Sequence, residues 1–268
     1  MPEGHTLHRL AMDLNEAFAG RAPSVTSPQG RFAESATQLD GTLLIESTAH
    51  GKHLFCEFDD DRYLHIHLGL IGKFEIGPPA PARGEVRVRL ATTAAVADLR
   101  GPQLCVLKTP GEISAQIAEL GPDPLRKDAD PERAWARIRR STRPVAALLM
   151  DQTVLSGVGN VYRAEVLFRN RIDPHRPGNK LKRASWQAIW ADLIELMPRG
   201  VTDQRIDTVG PEHLPEVMGR LPRQDNHGGE VYVYRRAGMA CWVCGSKVRT
   251  EVLAGRNLFW CGKCQRRG

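Results

Sequence analysis

Leu7, Leu10, Ala11, Leu14, Ala17 and Phe18 recur at steps of three and four, the spacing that gathers apolar side chains on one face of a helix. The pattern predicts an amphipathic helix over 5–19, closed by Gly20. Beyond it the period falls to two. Stretches 42–47, 53–58, 63–68, 73–77, 85–90 and 95–99 are short and are separated by Gly, Pro or Asp-rich turns. Closely spaced strands with turn-length connections make an antiparallel sandwich or barrel, with 79–84 as a loop.

Gly121-Pro-Asp-Pro124 and the charged residues up to Asp130 interrupt the pattern and read as a linker. Helices are predicted over 131–140 and 144–151, each with proline in its first turn, and over 160–170. A longer helix carries Trp186, Ile189, Trp190, Leu193, Ile194 and Met197 on one face, with Gly200 after its end. Residues 201–229 show no period. The division that follows is a β domain over 1–118, a linker over 119–130, a helical domain over 131–234 and a small module over 235–268, an α+β multidomain chain.

That last module holds Cys241-Trp-Val-Cys244, sixteen residues, then Cys261-Gly-Lys-Cys264. Each Cys-x-x-Cys turn aims two sulfurs at one point, and two such turns complete a closed tetrahedral site for one structural zinc. Two disulfides or two redox pairs are the other readings. Neither pair sits at a strand-to-helix turn, which favours zinc. So short a segment holds little apolar core, so bound metal would supply much of its folding free energy.

Charge changes the picture further. From 235 to the end, Arg235, Arg236, Lys247, Arg249, Arg256, Lys263, Arg266 and Arg267 stand against Glu251 alone, a net +7 by count in a chain whose total is +6. Positive charge confined to one module is a footprint for a polyanion, unless it is merely a solvated tail. No apolar run approaches the roughly 18 residues of a membrane span, and the start Met1-Pro2-Glu3-Gly4-His5 is not a signal peptide. A cytoplasmic protein with no membrane partner is expected. Cys56 and Cys105 lie in apolar, strand-like surroundings, where a buried thiol is the ordinary outcome.

Three places could carry chemistry. Gly157-Val-Gly-Asn160 feeds a helix N-terminus and could seat a phosphate, or be only a turn. Removal of Met1 would leave Pro2 as a terminal secondary amine beside Glu3, able to attack an aldehyde carbon, or else simply a favourable helix start. Lys52 sits at the tip of a predicted hairpin, where lysines are usually solvated.

Taken together these segments resemble one family. The start Pro2-Glu3-Gly4, the hairpin Gly51-Lys52, the Gly121-Pro-Asp-Pro segment, the turn Gly157-Val-Gly-Asn160 followed by Val-Tyr-Arg-Ala-Glu165, and the ending Gly255-Arg256 to Gln265 are similar to the formamidopyrimidine-DNA glycosylase and endonuclease VIII family. The Pro-Glu-Gly opening resembles the endonuclease VIII branch, its actinobacterial members above all. The resemblance implies a β-sandwich catalytic domain, a helix-two-turn-helix domain, a zinc finger, and damaged DNA held between the domains by a monomeric bacterial enzyme.

It also implies roles. Pro2 would attack C1′ of a damaged nucleoside, Glu3 would move protons at the ribose ring oxygen and the imine, and Lys52 would grip phosphate and assist proton transfer. Elimination of the 3′ and then the 5′ phosphate would nick the strand. Asn160 and Arg256 would pinch phosphates flanking the lesion, and Glu165 occupies the position of a family glutamate near the active site. An extruded base leaves a gap to be filled. His67-Leu-Gly-Leu70-Ile71-Gly72 matches the family's wedge loop, making Leu70 and Ile71 the insertion, unless both are strand-end core. The chain departs from the pattern in two places. His5-Thr6 replaces the usual Pro-Glu, and Gly69 stands where endonuclease VIII often has a polar residue. A second reading is an inactive DNA-binding member that recognises abasic or branched DNA, against which Pro2, Glu3 and Lys52 argue.

Overall fold

A computed structural model describes residues 2–224 and 229–266. Met1 and Arg267, both used in the sequence reading, lie outside the described residues, as do 225–228. The chain divides into two compact units, 1–119 and 120–268.

The first unit begins with α1 (Gly4–Phe18), whose residues Leu7, Leu14 and Phe18 are buried as their spacing predicts. Then come β1 (Ser24–Thr26), α2 (Ala33–Leu39), β2 (Leu44–His50), β3 (His53–Phe58), β4 (Arg62–His67), β5 (Lys73–Gly77), β6 (Val86–Ala91), β7 (Val96–Arg100), β8 (Leu104–Lys108) and α3 (Pro110–Glu119). The strands form two antiparallel four-stranded sheets, ordered β1-β6-β7-β5 and β2-β3-β4-β8. Their facing sides supply one core, with Leu54, Cys56, Leu64 and Ile66 from one sheet and Val88, Leu90, Ala97 and Leu99 from the other, and α1 contributes to it. This is the predicted sandwich. Cys56 and Cys105 are free thiols that burial pushes up to about 12.

The second unit contains α4 (Pro131–Ile138), α5 (Val145–Leu148), α6 (Asn160–Arg169), α7 (Arg183–Asp203), α8 (Pro215–Met218), β9 (Arg249–Leu253) and β10 (Arg256–Trp260). Gly121-Pro-Asp-Pro124 is packed within it: the Gly121 N–H donates to the Gln152 carbonyl at 2.9 Å, and Asp123 is fully buried. The last long helix differs from expectation. It runs through Pro198 and Gly200 to Asp203, where Gln204 at φ 56° ends it, and Ile194 is 46 % exposed. Trp186, Ile189, Leu193, Leu196 and Met197 form its buried face. Among the described residues no helix is long and apolar enough to cross a membrane.

Candidate active site and metal centre

In the first unit, Glu3 is the residue immediately before α1 and is fully buried. Its N–H donates to the Thr6 hydroxyl at 3.4 Å, and the Thr6 N–H returns to the Glu3 carbonyl at 2.9 Å. Thr6 thus braces the helix start, and the positive end of the helix favours a carboxylate there. His5 is buried, and that burial pushes its pKa down to about 4, so the ring is neutral at pH 7. α1 packs across β2 and β3. Those strands are joined at Gly51-Lys52, with His50 paired to His53 and Gly51 at φ 60°. A positive φ at the first loop position is what a two-residue hairpin turn of this kind requires, and glycine takes it without strain.

Leu70 and Ile71 lie between β4 and β5, 53 % and 81 % exposed, so neither is core. The turn that presents them is tight. Gly69 has φ 70°, and a Cβ at Gly72 would meet the Leu68 carbonyl oxygen at 2.3 Å.

Sequence reasoning missed the rings around Lys52. The His53 Nδ1 and His65 Nε2 atoms are 2.8 Å apart, and the His53 and His67 rings meet edge to face with centroids 5.0 Å apart. Burial first, then the neighbouring histidines, then Lys52 push the His53 pKa down to about 3. Burial, with smaller contributions from Lys108 and His67, takes His65 to about 4. The signal was present as parity: His65 and His67 are two apart, so a strand puts both on one face.

In the second unit the glycine turn is buried, and Asn160, first residue of α6, is only 6 % exposed. Its side-chain amide donates to the Asn257 carbonyl of β10 at 2.9 Å. Arg163, one turn on and fully buried, donates to the same carbonyl at 3.1 Å and to the Asn160 side-chain oxygen. The helix start and the strand that begins with exposed Arg256 are thereby joined.

Glu165 is fully buried. Its carboxylate accepts the N–H groups of Tyr232, Val233 and Tyr234 at 2.7, 2.9 and 2.8 Å and the Thr208 hydroxyl at 2.6 Å. So many donors satisfy a buried charge. One counted charge of the basic module is also internal. Arg236 is 3 % exposed and lies 3.6 Å over the Trp242 ring, with burial taking its pKa to about 10, which leaves it cationic.

The four sulfurs of Cys241, Cys244, Cys261 and Cys264 lie within 4.8 Å of one another. Cys241 to Cys264 is 3.9 Å and Cys244 to Cys261 is 3.4 Å. Zinc–sulfur bonds of about 2.3 Å at tetrahedral angles place sulfurs about 3.8 Å apart, so the four-thiol set fits a zinc ion. Gln265 supports the arrangement by accepting the Cys261 N–H at 2.9 Å and donating to the Ile172 carbonyl at 3.0 Å.

The formamidopyrimidine-DNA glycosylase N-terminal domain matches residues 1–104, and the formamidopyrimidine-DNA glycosylase H2TH domain matches 120–209. Endonuclease 8 1 of Mycobacterium tuberculosis is 50 % identical over 275 residues, covering 99 % of this chain and 100 % of that one. The chain belongs to the formamidopyrimidine-DNA glycosylase and endonuclease VIII family. The probable endonuclease 8 2 of Streptomyces coelicolor, 32 % identical over 280 residues with 99 % and 94 % covered, is a more distant member. The solved complex of the Lactococcus lactis family enzyme Fpg with DNA containing an abasic site has the same fold, with a TM-score of 0.81, 21 % identity, and 99 % and 100 % covered. Members of this family are DNA glycosylases and abasic-site lyases of base excision repair.

Proposed function

We propose that this protein excises oxidised bases from DNA, pyrimidines ahead of purines, and then nicks the strand, with the Pro2 amine as nucleophile. The reading is carried by a fully buried carboxylate, Glu3, at the start of α1 directly beside Pro2. Capping of α1 accounts for an acid at this position; its complete burial next to the terminal amine suits it to proton transfer as well. The Pro2 nitrogen attacks C1′ as the bond to the base breaks, and Glu3 protonates the ribose ring oxygen as the sugar opens to an imine. Loss of a C2′ proton expels the 3′ phosphate, and a second elimination expels the 5′ phosphate. Lys52 holds phosphate beside these atoms. Asn160, whose side chain bonds β10, and exposed Arg256 at the start of that strand grip flanking phosphates. Glu165 serves the DNA indirectly, through the 232–234 backbone it holds. Leu70 and Ile71, exposed on a tight turn, fill the gap left by the extruded nucleotide. Cys241, Cys244, Cys261 and Cys264 would hold one zinc, which supplies structure rather than chemistry.

Borohydride reduction of the protein mixed with abasic-site DNA tests this. A covalent adduct mapping to Pro2 is expected, retained in part by Pro2→Gly and lost when extra residues precede Pro2. Glu3→Gln should keep binding yet slow base excision by roughly 10²–10⁴-fold. An adduct on Lys52, or full activity with a blocked amine, overturns the mechanism. No nicking by a protein that binds abasic DNA leaves the inactive-binder reading standing. The Pro2-Glu3-Gly4 opening, which resembles the endonuclease VIII branch, supports thymine glycol or dihydrouracil as better substrates than 8-oxoguanine. A preference for 8-oxoguanine would overturn that assignment alone.

A further inference from the structure

The register of β3 and β4 pairs His53 with His67 and Phe55 with His65. These side chains share one face, opposite the one that sends Leu54, Cys56, Leu64 and Ile66 into the sandwich core. A face pointing away from the core would ordinarily be polar and wet, yet His65 is fully buried and Phe55 is 1 % exposed.

Proton placement on this face is determined by hydrogen bonding. Only one proton can lie between His53 Nδ1 and His65 Nε2, 2.8 Å apart. If His53 donated it, neutral His65 would carry its own proton on Nδ1, which is buried and has no partner. A buried N–H left unpaired is rarer and costlier than an unpaired lone pair. His65 therefore donates from Nε2, and neutral His53 must carry its proton on Nε2. The Gly69 N–H donates to His67 Nδ1 at 3.1 Å, so neutral His67 also carries its proton on Nε2. Burial lowers the pKa of all three rings, and Lys52 is near enough to contribute at His53 and His67. Neither Nε2 atom of that pair has a hydrogen-bond partner among the described residues.

We propose that His65 fixes the tautomer of His53 so that His53 presents a neutral Nε2–H, with that of His67 beside it, to an anionic oxygen held at Lys52. Resting on the functional reading above, that oxygen belongs to a DNA backbone phosphate. The Lys52 ammonium supplies the charge. His53 supplies direction without charge, and His65 is a positioning residue that acts only through His53.

A neutral donor has a recognisable signature. His53→Ala should weaken binding of a duplex carrying a tetrahydrofuran abasic analogue roughly tenfold, the order of one hydrogen bond to a charged acceptor. The salt dependence of binding should stay unchanged, because no counterion is released by a neutral ring. Lys52→Ala should instead flatten that dependence. A glutamine amide nitrogen reaches about as far as Nε2 and an asparagine one only about as far as Nδ1, so His53→Gln should bind like the parent and His53→Asn like His53→Ala. His65→Phe should weaken binding and His65→Gln restore it. Nitrogen chemical shifts of the free protein read the tautomer directly, and thermal unfolding checks that each variant is folded. A His53 proton on Nδ1, or a flattened salt dependence in His53→Ala, overturns the proposal. If Lys52→Ala impairs binding while His53→Ala does not, this proposal falls alone. If neither moves it, the hairpin does not meet DNA and the functional reading of Lys52 falls with it.

Discussion

Two hairpins in this chain carry a cation in or just after a two-residue turn, and they are stabilised in different ways. Gly51-Lys52 closes β2 and β3 inside a four-stranded sheet, where Leu54 and Cys56 on one face and Phe55 on the other are buried. Ala254-Gly255 closes β9 and β10, an isolated pair in which Val252 is 72 % exposed and only Leu258 and Phe259 are buried. The first stands on packing. The second reaches the core of its unit through Leu258 and Phe259 and adds the four-thiol cluster and a few tethers, among them Asn160 and Arg163 on the Asn257 carbonyl and His175 bonded to both Asp173 and Glu251 at 3.0 and 2.6 Å. Burial thus holds the turn that bears Lys52, whereas the strand that begins with Arg256 is expected to depend on metal bound by the four thiols.

The largest expected effect breaks the second hairpin only. Metal bound by small modules of this kind contributes roughly 10–16 kcal/mol to their folding. Chelation, or Cys261→Ser, should therefore abolish duplex binding and open the segment after residue 235 to protease, with about one zinc per chain measured beforehand. A metal-free preparation with intact binding would contradict the dependence. Next in size is the strut behind that hairpin. Glu165→Gln offers an N–H₂ group to backbone donors and should cost about 3 kcal/mol in denaturant unfolding.

Acid should act on the first unit instead. His5, His53 and His65 have folded pKa values of about 4, 3 and 4, below the ordinary 6.5. The unfolded chain then binds protons first as pH falls, so this stabilisation is complete above about pH 6.5 and drains away between there and about pH 3, the His53 value. Melting temperature should drop from pH 7 to pH 5, and His65→Phe should reduce the drop. A flat profile would show these rings are not buried neutral. The smallest effect compares the two cations themselves. Arg256→Ala should reduce the salt slope of duplex binding by roughly 0.9, one phosphate contact, across all sequences. An unchanged slope would argue that Arg256 does not touch phosphate.

Periodicity made α1, six strands of the sandwich and the helices around α6 legible, because each has one buried face. It could not bound β8, whose residues are all half-buried and show no alternation, so that only the apolar surroundings of Cys105 hinted at a strand, or reveal α3, in which only Ile113 is buried. Cysteine spacing announced the four-sulfur cluster because its ligands are local in sequence. Apart from Arg163, the side-chain partners of Asn160 and Glu165 lie between 43 and 97 residues away, and no pattern along the chain brings Asn257 or Tyr232 to them. The histidines around Lys52 became visible only through strand register. Gly200 misled for a different reason, since tertiary packing of α7 outweighs a single helix-weakening residue near its end.

The order of pairing in the β2-β3-β4 sheet bears on how the protein acquires its shape. These three strands are consecutive and joined by tight turns, so their contacts close small loops, whereas β8 must return across some forty residues to β4, and β1 across some sixty to β6. The meander that carries Lys52 should accordingly form in the folding transition state, ahead of sandwich closure. Trimming Leu54 to alanine should slow folding, and trimming Val25 in β1 should chiefly hasten unfolding. The strands that aim the lysine would then be among the first to pair and the last to part.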